Sequence, residues 1–427
     1  MIDIFEQVGR PLDECRVVFD SLSRRPYCAG VGGGHFIDLL TGISIVGLCM
    51  DNEFDDIRPY NDAEFREVLK RIFRNRWLVG GLRKEIFPRC PSPFKPLCDL
   101  IISAYLYAKL VPIHTVDQFQ RKIIGGDVIP WLLEHTTDGL YFSGLEYLDE
   151  DEPYTFISNH RDILLDPALL NYVLASNGLR YAAIAFGDNL MINDLIADLI
   201  RVNKCFIVKR NLPFKERIQA LHHLSKYIWL LHQQGQSVWI AQREGRAKDG
   251  EDRTNPSLSK MLYLSQRKEG LSFPAFIRIM NIVPVSISYE KDPCDLLKAR
   301  EMNEIRDNCT EEKMRADLQS MYYGLRGDKG RIHVAIGKRL CGEYQTEQEV
   351  AREIDRTIHR IYKLWPSNYI AYDKLMDSRE YLSNYSPEES RAFLSRFAEE
   401  PRDIREKVLA MYARPLVNQR ALQGMKD

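Results

Sequence analysis

No apolar run in this chain of 427 residues reaches the roughly eighteen residues that a bilayer-spanning helix needs. The best candidates are Leu39–Met50, interrupted by glycines, and Leu100–Ile113, broken by Lys109 and Pro112; both are expected as buried core. Met1–Glu6 has no basic start and no long apolar stretch, so no signal peptide is expected. None of the nine scattered cysteines forms a Cys-x-x-Cys pair, which argues for reduced thiols in the cytosol over disulfides or a zinc site. No His-x-x-x-His occurs, and His222 and His223 are adjacent on a helical pattern and face different ways, so no metal is expected. The formal net charge is −1, which excludes a global field drawing in nucleic acid or an anionic bilayer. No internal repeat and no low-complexity segment stands out.

Two partial motifs are also excluded. Gly30-Val31-Gly32-Gly33-Gly34 lacks the following Lys-Ser/Thr of a phosphate-cradling loop, so a turn is expected there. His160-Arg161-Asp162 copies the kinase catalytic triplet, yet Pro167 stands where the kinase Asn belongs, and no Asp-Phe-Gly accompanies it. No Gly-x-Ser-x-Gly elbow offers a serine nucleophile.

The composition that remains is that of a folded protein, with 45% hydrophobic and 28% charged residues. The length suits two or three domains, or one core with appended helices. Residues 1–50 read unlike the rest and form an extension of unclear role, with the acidic stretch Asp51–Asp56 as a boundary. Residues 51–138 read as helical: Phe65, Leu69, Ile72 and Phe73 recur at helical spacing between Asp62 and Asn75, and Leu97–Val111 and Gln118–Glu134 follow. Residues 139–345 alternate strands with helices. The strands are Tyr154–Ser158, Tyr181–Phe186, Cys205–Val208, Val238–Ala241 and Val283–Tyr289, with Arg331–Ile336 as a further one. Ala168–Ala175, Leu195–Val202, Lys215–Gln234 and Leu258–Glu269 are the helices between them. Residues 346–427 are a helical appendage, with Glu347–Leu364 strongly periodic and Pro387–Leu416 after it. The fold class is therefore α/β, a layered mixed sheet flanked by helices, with ligands expected near the strand ends.

The most informative stretch is Tyr154–Leu170. A short β-type run ends in Asn159-His160-Arg161-Asp162, and Asp166-Pro167 then opens a helical pattern, Asp as N-cap and Pro at the first helical position. A histidine in such a strand-to-helix turn can serve as a general base near neutral pH, with a carboxylate fixing its tautomer. A six-residue step turns about 600° around a regular helix, so His160 and Asp166 meet only if His160 lies in the turn ahead of it. Asp162 is the rival partner. Downstream, Lys204–Arg210, Ser237–Gly250 and Ile282–Tyr289 each set polar or turn residues beside a β-type run. Lys204, Lys209, Arg210, Arg243, Arg246 and Lys248 together supply a local basic patch.

In this order and spacing the four segments resemble the sequence blocks of the glycerolipid acyltransferase superfamily, whose members acylate glycerol 3-phosphate and lysophosphatidic acid. Asn159-His160 with Asp166 resembles the first block, Phe206–Arg210 the second, Glu244-Gly245-Arg246 the third, and Val283-Pro284-Val285 through Tyr289 the fourth. The likeness runs from about Gly139 to Tyr289. Two departures stand out: five residues separate His160 from Asp166 where the family has four, and Arg246 follows Gly245 directly.

The resemblance implies an O-acyltransferase in phospholipid synthesis, with His160 and Asp166 as the catalytic pair. It further implies that Asn159, Arg161, Lys209, Arg210, Glu244, Gly245 and Arg246 bind substrate; by strict register Lys209, not Arg210, matches the family's Arg. No resident cofactor is implied. The partners would be an acyl thioester, on coenzyme A or an acyl carrier protein, and a phosphorylated glycerol or lysolipid acceptor. The alternatives are another lysolipid or amino-lipid acceptor, or a non-catalytic lipid-binding homologue. The setting would be cytoplasmic and peripheral, the chain lying on the membrane surface through Lys70, Arg71, Arg74, Arg76 and Trp77; the alternative is that this face packs on the catalytic domain.

Overall fold

The computed structural model describes residues 53–424, except 192, 211 and 304–309, together with a two-residue strand, β1 (Cys15–Arg16). The expectations for the glycine-rich turn Gly30–Gly34 and the run Leu39–Met50 lie outside the described residues. The other strands are β2 (Gly139–Ser143), β3 (Thr155–Ser158), β4 (Ala183–Gly187), β5 (Cys205–Val208), β6 (Val238–Ala241), β7 (Ile282–Tyr289) and β8 (Arg331–Ile336). They form one sheet in the order β1-β2-β8-β7-β3-β6-β4-β5. Strands β7, β3, β6, β4 and β5 run parallel, whereas β8 is antiparallel to β7 and parallel to β2. The sheet is thus mixed, and β2 is a strand that periodicity did not single out.

Ahead of the sheet lie α1 (Asp62–Phe73), α2 (Arg76–Ile86), α3 (Lys95–Leu110), the short α4 (Val116–Phe119), a π-helix (Gln120–Val128) and α5 (Ile129–Thr136). Within it come α6 (Leu165–Ser176), α7 (Asp194–Val202), α8 (Phe214–Gln233), α9 (Ser257–Lys268), α10 (Phe273–Ile279), α11 (Asp295–Glu301) and α12 (Thr310–Arg326). After β8 follow α13 (Glu347–Ile361), α14 (Pro366–Leu375), α15 (Pro387–Ser395) and α16 (Arg402–Gln423). The strand order runs outward to β5 and then reverses, so by the right-handed rule for parallel crossovers α6 and α7 belong on one face and α8 to α10 on the other.

The main core gathers the sheet's inward residues, among them Phe156, Ile157, Phe206, Val283 and Ile287, with Leu169 and Leu170 of α6 and Ile354 and Ile358 of α13. All eight residues of β7 are buried, as a central strand covered on both faces requires. The N-terminal helices dock separately, Phe65, Val68, Leu69 and Ile72 of α1 packing with Val202 at the end of α7. A third cluster joins α14, α15 and α16 through Ile370, Phe393, Val408 and Met411.

Two differences from the sequence expectations have plain causes. Leu100–Ile113 is not core: Leu100, Ile101, Tyr105, Tyr107 and Val111 are exposed, and only Ile102 and Ile113 of its large apolar residues are buried. Its apolar residues lie nearly all round the helix, so periodicity could not indicate which side is covered. The stretch expected as one helix from Gln118 to Glu134 is divided by the π-helix, which contains Gly125 and Gly126.

Candidate active site

The carboxyl ends of the parallel strands β3, β4, β5 and β6 come together at one edge of the sheet, where open α/β sheets place their ligands. Directly past β3 lie Asn159 and His160. Asn159 is wholly buried and bridges to β7, its Oδ1 accepting from the Ile287 amide (2.8 Å) and its Nδ2 donating to the Ile287 carbonyl (3.0 Å). From the other side the Ala247 amide donates to the His160 carbonyl at 2.7 Å. The loop is therefore clamped on both flanks by main-chain contacts.

His160 Nδ1 lies 2.9 Å from Asp166 Oδ2. The same oxygen accepts the main-chain N–H groups of Arg161 (2.6 Å) and Asp162 (2.9 Å), and Oδ1 accepts the Tyr289 hydroxyl (2.8 Å). Asp166 is fully buried, so this set of four donors is what keeps its carboxylate tolerable away from water. The bond to Nδ1 leaves Nε2 as the imidazole's free nitrogen. The ring meets Trp239 edge-on, 5.7 Å between centroids, and Trp239 Nε1 in turn donates to Ser158 Oγ.

Asp166 does not cap the helix, contrary to the sequence expectation. Helix α6 begins at Leu165, and the capping carboxylate is Asp162, whose Oδ1 accepts the amides of Leu164 and Leu165 at 2.9 Å. Asp166 points back over its own loop instead. The ambiguity between the two acids resolves geometrically in one direction: Asp166 faces the imidazole, and Asp162 is spent on the helix. Burial, followed by the neighbouring Asp166, pushes the Asp162 carboxyl up.

The pocket at Nε2's side holds about 80 Å³ and is lined by His160, Trp239, Arg210, Arg243, Gly245, Arg246 and Asp317, with Ile163, Phe186 and Leu190 among its apolar walls. Arg246 is nine-tenths buried; its Nη2 lies 3.5 Å from Glu301 and 3.9 Å from Asp317, and its Nη1 is buried with no hydrogen-bond partner. Arg210 faces Glu244 at 3.4 Å and Asn189 Oδ1 at 3.4 Å. Gly245 takes φ of +74° with open space where a Cβ would stand, so the turn demands its backbone freedom, not its small size. Gly187 is the opposite case. A Cβ there would lie 2.5 Å from Asn189 Oδ1 and 2.8 Å from Arg210 Cζ.

Three residues expected to bind substrate are turned elsewhere. Asn159 is consumed by β7, as described. Arg161 is buried, donates to Asp252 Oδ2 at 2.5 Å and packs over the Tyr362 ring, away from the pocket. Lys209 leaves the other side of its strand end and pairs with Asp56 at 2.5 Å. Alternation along an extended segment sends neighbours to opposite sides, so only one of Lys209 and Arg210 could reach the pocket. Glu244 is exposed and reaches the pocket only through Arg210. The expected basic patch is also neutralised: Lys204 pairs with Asp117, Arg243 with Asp249 and Lys248 with Glu301. Tyr289, Trp239, Gly187 and Asp317 were missed. Tyr289 lies inside the fourth block, and Trp239 in the Ser237–Gly250 segment ahead of the third; Asp317 lies outside both and carried no signal.

The geometry separates the two acids functionally. In Asp166→Asn the amide oxygen can keep the three N–H bonds and the NH₂ can face Tyr289, so the loop should hold while the charge behind the imidazole is lost. Turnover is expected to fall roughly a hundredfold or more with little change in melting temperature. Asp162→Asn preserves the cap and should leave turnover within a few-fold of wild type. Steady-state acyl transfer alongside thermal melts checks the pair, and the reverse ranking would reassign the partner.

Comparison with known proteins bears on the same segment. Residues 139–288 match the family model described as Acyltransferase. No curated protein matches the chain. One solved structure, the 1-acyl-sn-glycerophosphate (LPA) acyltransferase PlsC from Thermotoga maritima, is 13% identical over 57% of this chain and 78% of that one, at a TM-score of 0.35. The matched segment begins with β2, ends within β7, and contains His160, Asp166, Arg210 and Arg246. The matched segment is an acyltransferase domain.

Proposed function

We propose that the protein transfers a fatty acyl group from an acyl thioester, on coenzyme A or an acyl carrier protein, to a hydroxyl of a phosphorylated lysolipid or glycerol acceptor. The observation that carries this reading is the His160–Asp166 pair, 2.9 Å apart, at a pocket lined by three arginines. His160 Nε2 takes the proton of the acceptor hydroxyl as its oxygen attacks the thioester carbonyl. Asp166 stabilises the imidazolium that forms. The tetrahedral intermediate collapses with cleavage of the C–S bond, and the imidazolium returns its proton to the departing thiolate. No covalent acyl-enzyme is required.

Arg246 is the phosphate ligand that the geometry favours. Its orphaned Nη1 is a buried donor awaiting an acceptor, and leaving such a group unmatched costs about 1–3 kcal/mol. Arg210 supports it from the facing loop. A pocket of about 80 Å³ is far below the roughly 300–1,000 Å³ of sites that enclose a whole drug-sized ligand, so it suits a headgroup, with the acyl chains outside.

That division suits a protein that works at a membrane surface, with the chains left in the lipid. Among the described residues no helix is long and apolar enough to cross a bilayer. Helices α2 and α3 and the turn between them instead present Trp77, Ile86, Phe94, Leu97, Leu100, Ile101 and Tyr107 to solvent. Arg66, Lys70 and Arg74 border an adjoining groove of about 700 Å³ with Leu69, Phe73 and Leu110 on its walls. Cations beside exposed aromatic and aliphatic side chains are the make-up of an interfacial surface. Arg71 takes no part, since it is bonded to Asp198 of α7.

Two measurements test the reading. With an acyl thioester and lysophosphatidic acid, free coenzyme A should be released, and His160→Ala should reduce the rate by about 10²–10⁴ while leaving the fold intact. Near wild-type turnover in a folded His160→Ala protein would refute the mechanism. In liposome flotation, binding should require anionic lipid, weaken with salt and drop in an Arg74→Glu, Arg76→Glu, Trp77→Ser variant. Protein that stays unbound at low salt would remove the membrane face from the account.

A further inference from the structure

The residues on either side of His160 meet on one carboxylate. Asn159 gives one Nδ2 hydrogen to the Ile287 carbonyl and turns the other to Asp252 Oδ2, at 3.3 Å. Arg161 donates from Nη2 to that same oxygen at 2.5 Å. Asp252 lies six residues beyond Arg246, on the loop between β6 and α9, and belongs to none of the four recognised blocks. It is 1% exposed and takes a φ of +48°, a left-handed conformation that few residues other than glycine adopt. Its Oδ1 is buried with no hydrogen-bond partner.

Stability alone accounts poorly for this arrangement. In a buried ion pair the attraction does little more than offset the desolvation, and a left-handed backbone and an unmatched oxygen are both unfavourable. What the arrangement provides is a tie between two loops. Arg161 carries it: its side chain is held by Asp252, while its amide donates at 2.6 Å to Asp166 Oδ2, the oxygen that faces the imidazole. The Ala247 amide on the His160 carbonyl makes a second tie, one residue past Arg246.

The loop beyond Arg246 is itself fixed from behind. His359 Nε2 of α13 lies 3.2 Å from the carbonyls of both Glu251 and Asp252. Asn418 of α16 donates to the Glu251 carbonyl at 3.1 Å, and the Thr254 amide donates to Asp355 of α13 at 2.7 Å. At Gly250 the backbone of α16 comes so near that a Cβ would stand 2.4 Å from the Met411 carbonyl oxygen. Cutting the tie would therefore release the His160 loop, not the turn that carries Arg246. We propose, granted the reading of His160 as general base, that Asp252 is the positioning residue of this loop. One carboxylate oxygen holds the residues before and after the base against the arginine-bearing turn, and so fixes where the imidazole stands against Asp166.

Asp252→Asn keeps the volume and tolerates the left-handed backbone, but removes the charge. In it kcat should fall about ten- to a hundredfold, the cost of a misplacement of up to about 1 Å, with the KM of acceptor and thioester within about threefold. The same variant leaves Arg161 buried without its counter-ion, so its melting temperature should fall too. The double variant Arg161→Met, Asp252→Asn separates the two effects. With both charges gone, melting should return toward wild type, while kcat stays low because the tie through Arg161 is still cut. A double variant with wild-type kcat would overturn the proposal, since Asp252 would then serve only to neutralise Arg161. So would a folded Asp252→Asn protein with wild-type kcat. If both variants unfold, Asp252 is a stabiliser of the fold and the proposal fails.

A second readout does not depend on turnover. In nitrogen-15 spectra of histidine-labelled protein, the neutral His160 ring should hold one tautomer in wild type and spread over both in the double variant. If the wild-type protein acylates no acceptor, the general-base reading fails, and the tautomer still decides whether Asp252 sets the imidazole. An unchanged tautomer in the folded double variant would overturn it.

Discussion

Everything at the candidate site turns on one buried carboxylate. Asp166 is removed from water, and an ionised group there is tolerable only if its oxygens are filled by donors. Four donors from two directions fill them: His160 Nδ1 and two successive amides of the loop, then the Tyr289 hydroxyl from the end of β7. Bonds to a charged acceptor contribute on the order of 1.5–3 kcal/mol each, so the loop can satisfy this carboxylate only in one conformation. That conformation delivers the imidazole to the pocket. The hydroxyl of Tyr289 is held in its protonated form, since burial and then Asp166 raise it well above its ordinary range. It therefore serves as a donor throughout the working pH range.

The rest of the molecule reinforces this loop from behind. Lys298 of α11 is fully buried and donates to the Arg161 carbonyl at 2.6 Å and to Asp292 at 2.5 Å. Burial alone would raise Asp292, yet Lys298 draws its carboxyl below the usual range. The Asp292 amide donates to the Tyr412 hydroxyl, which donates to Asp295, and Arg396 pairs with Asp295 at 2.8 Å. The C-terminal helices are thus tied to the residue following His160 through a continuous polar network. Such a network is strongly destabilising to break at one member, and its value lies in holding one arrangement more than in added stability. The appended helices act as a brace for the site.

Much of this was legible in the sequence. Five strands and the helices among them show the two periodicities, and the motif order pointed to the loop after β3, the glycine turn after β6 and the family. What was not legible shares a cause. Which way a side chain leaves a loop depends on backbone dihedrals that composition does not encode. Asn159 and Arg161 flank His160 in sequence and yet turn inward, one to β7 and one to Asp252. Asp166 carried the signature of a helix cap, and the cap is Asp162, because a loop of five residues between His160 and Asp166 can fold back on itself. Asp317 was beyond reach altogether. Its helix has no motif, and only the tertiary fold brings it beside Arg246.

The account rests most directly on the state of one imidazole. If Asp166 accepts from His160 Nδ1, the neutral ring must carry its proton on Nδ1 and leave Nε2 as the base. Nitrogen-15 NMR of histidine-labelled protein, with His160 assigned by difference against a His160→Gln sample, reads this tautomer in solution. The predicted spectrum of the neutral ring shows a protonated Nδ1 and an unprotonated Nε2 in wild type. A neutral ring protonated at Nε2 would contradict the account, since the nitrogen facing the pocket would then have no lone pair with which to take the acceptor's proton.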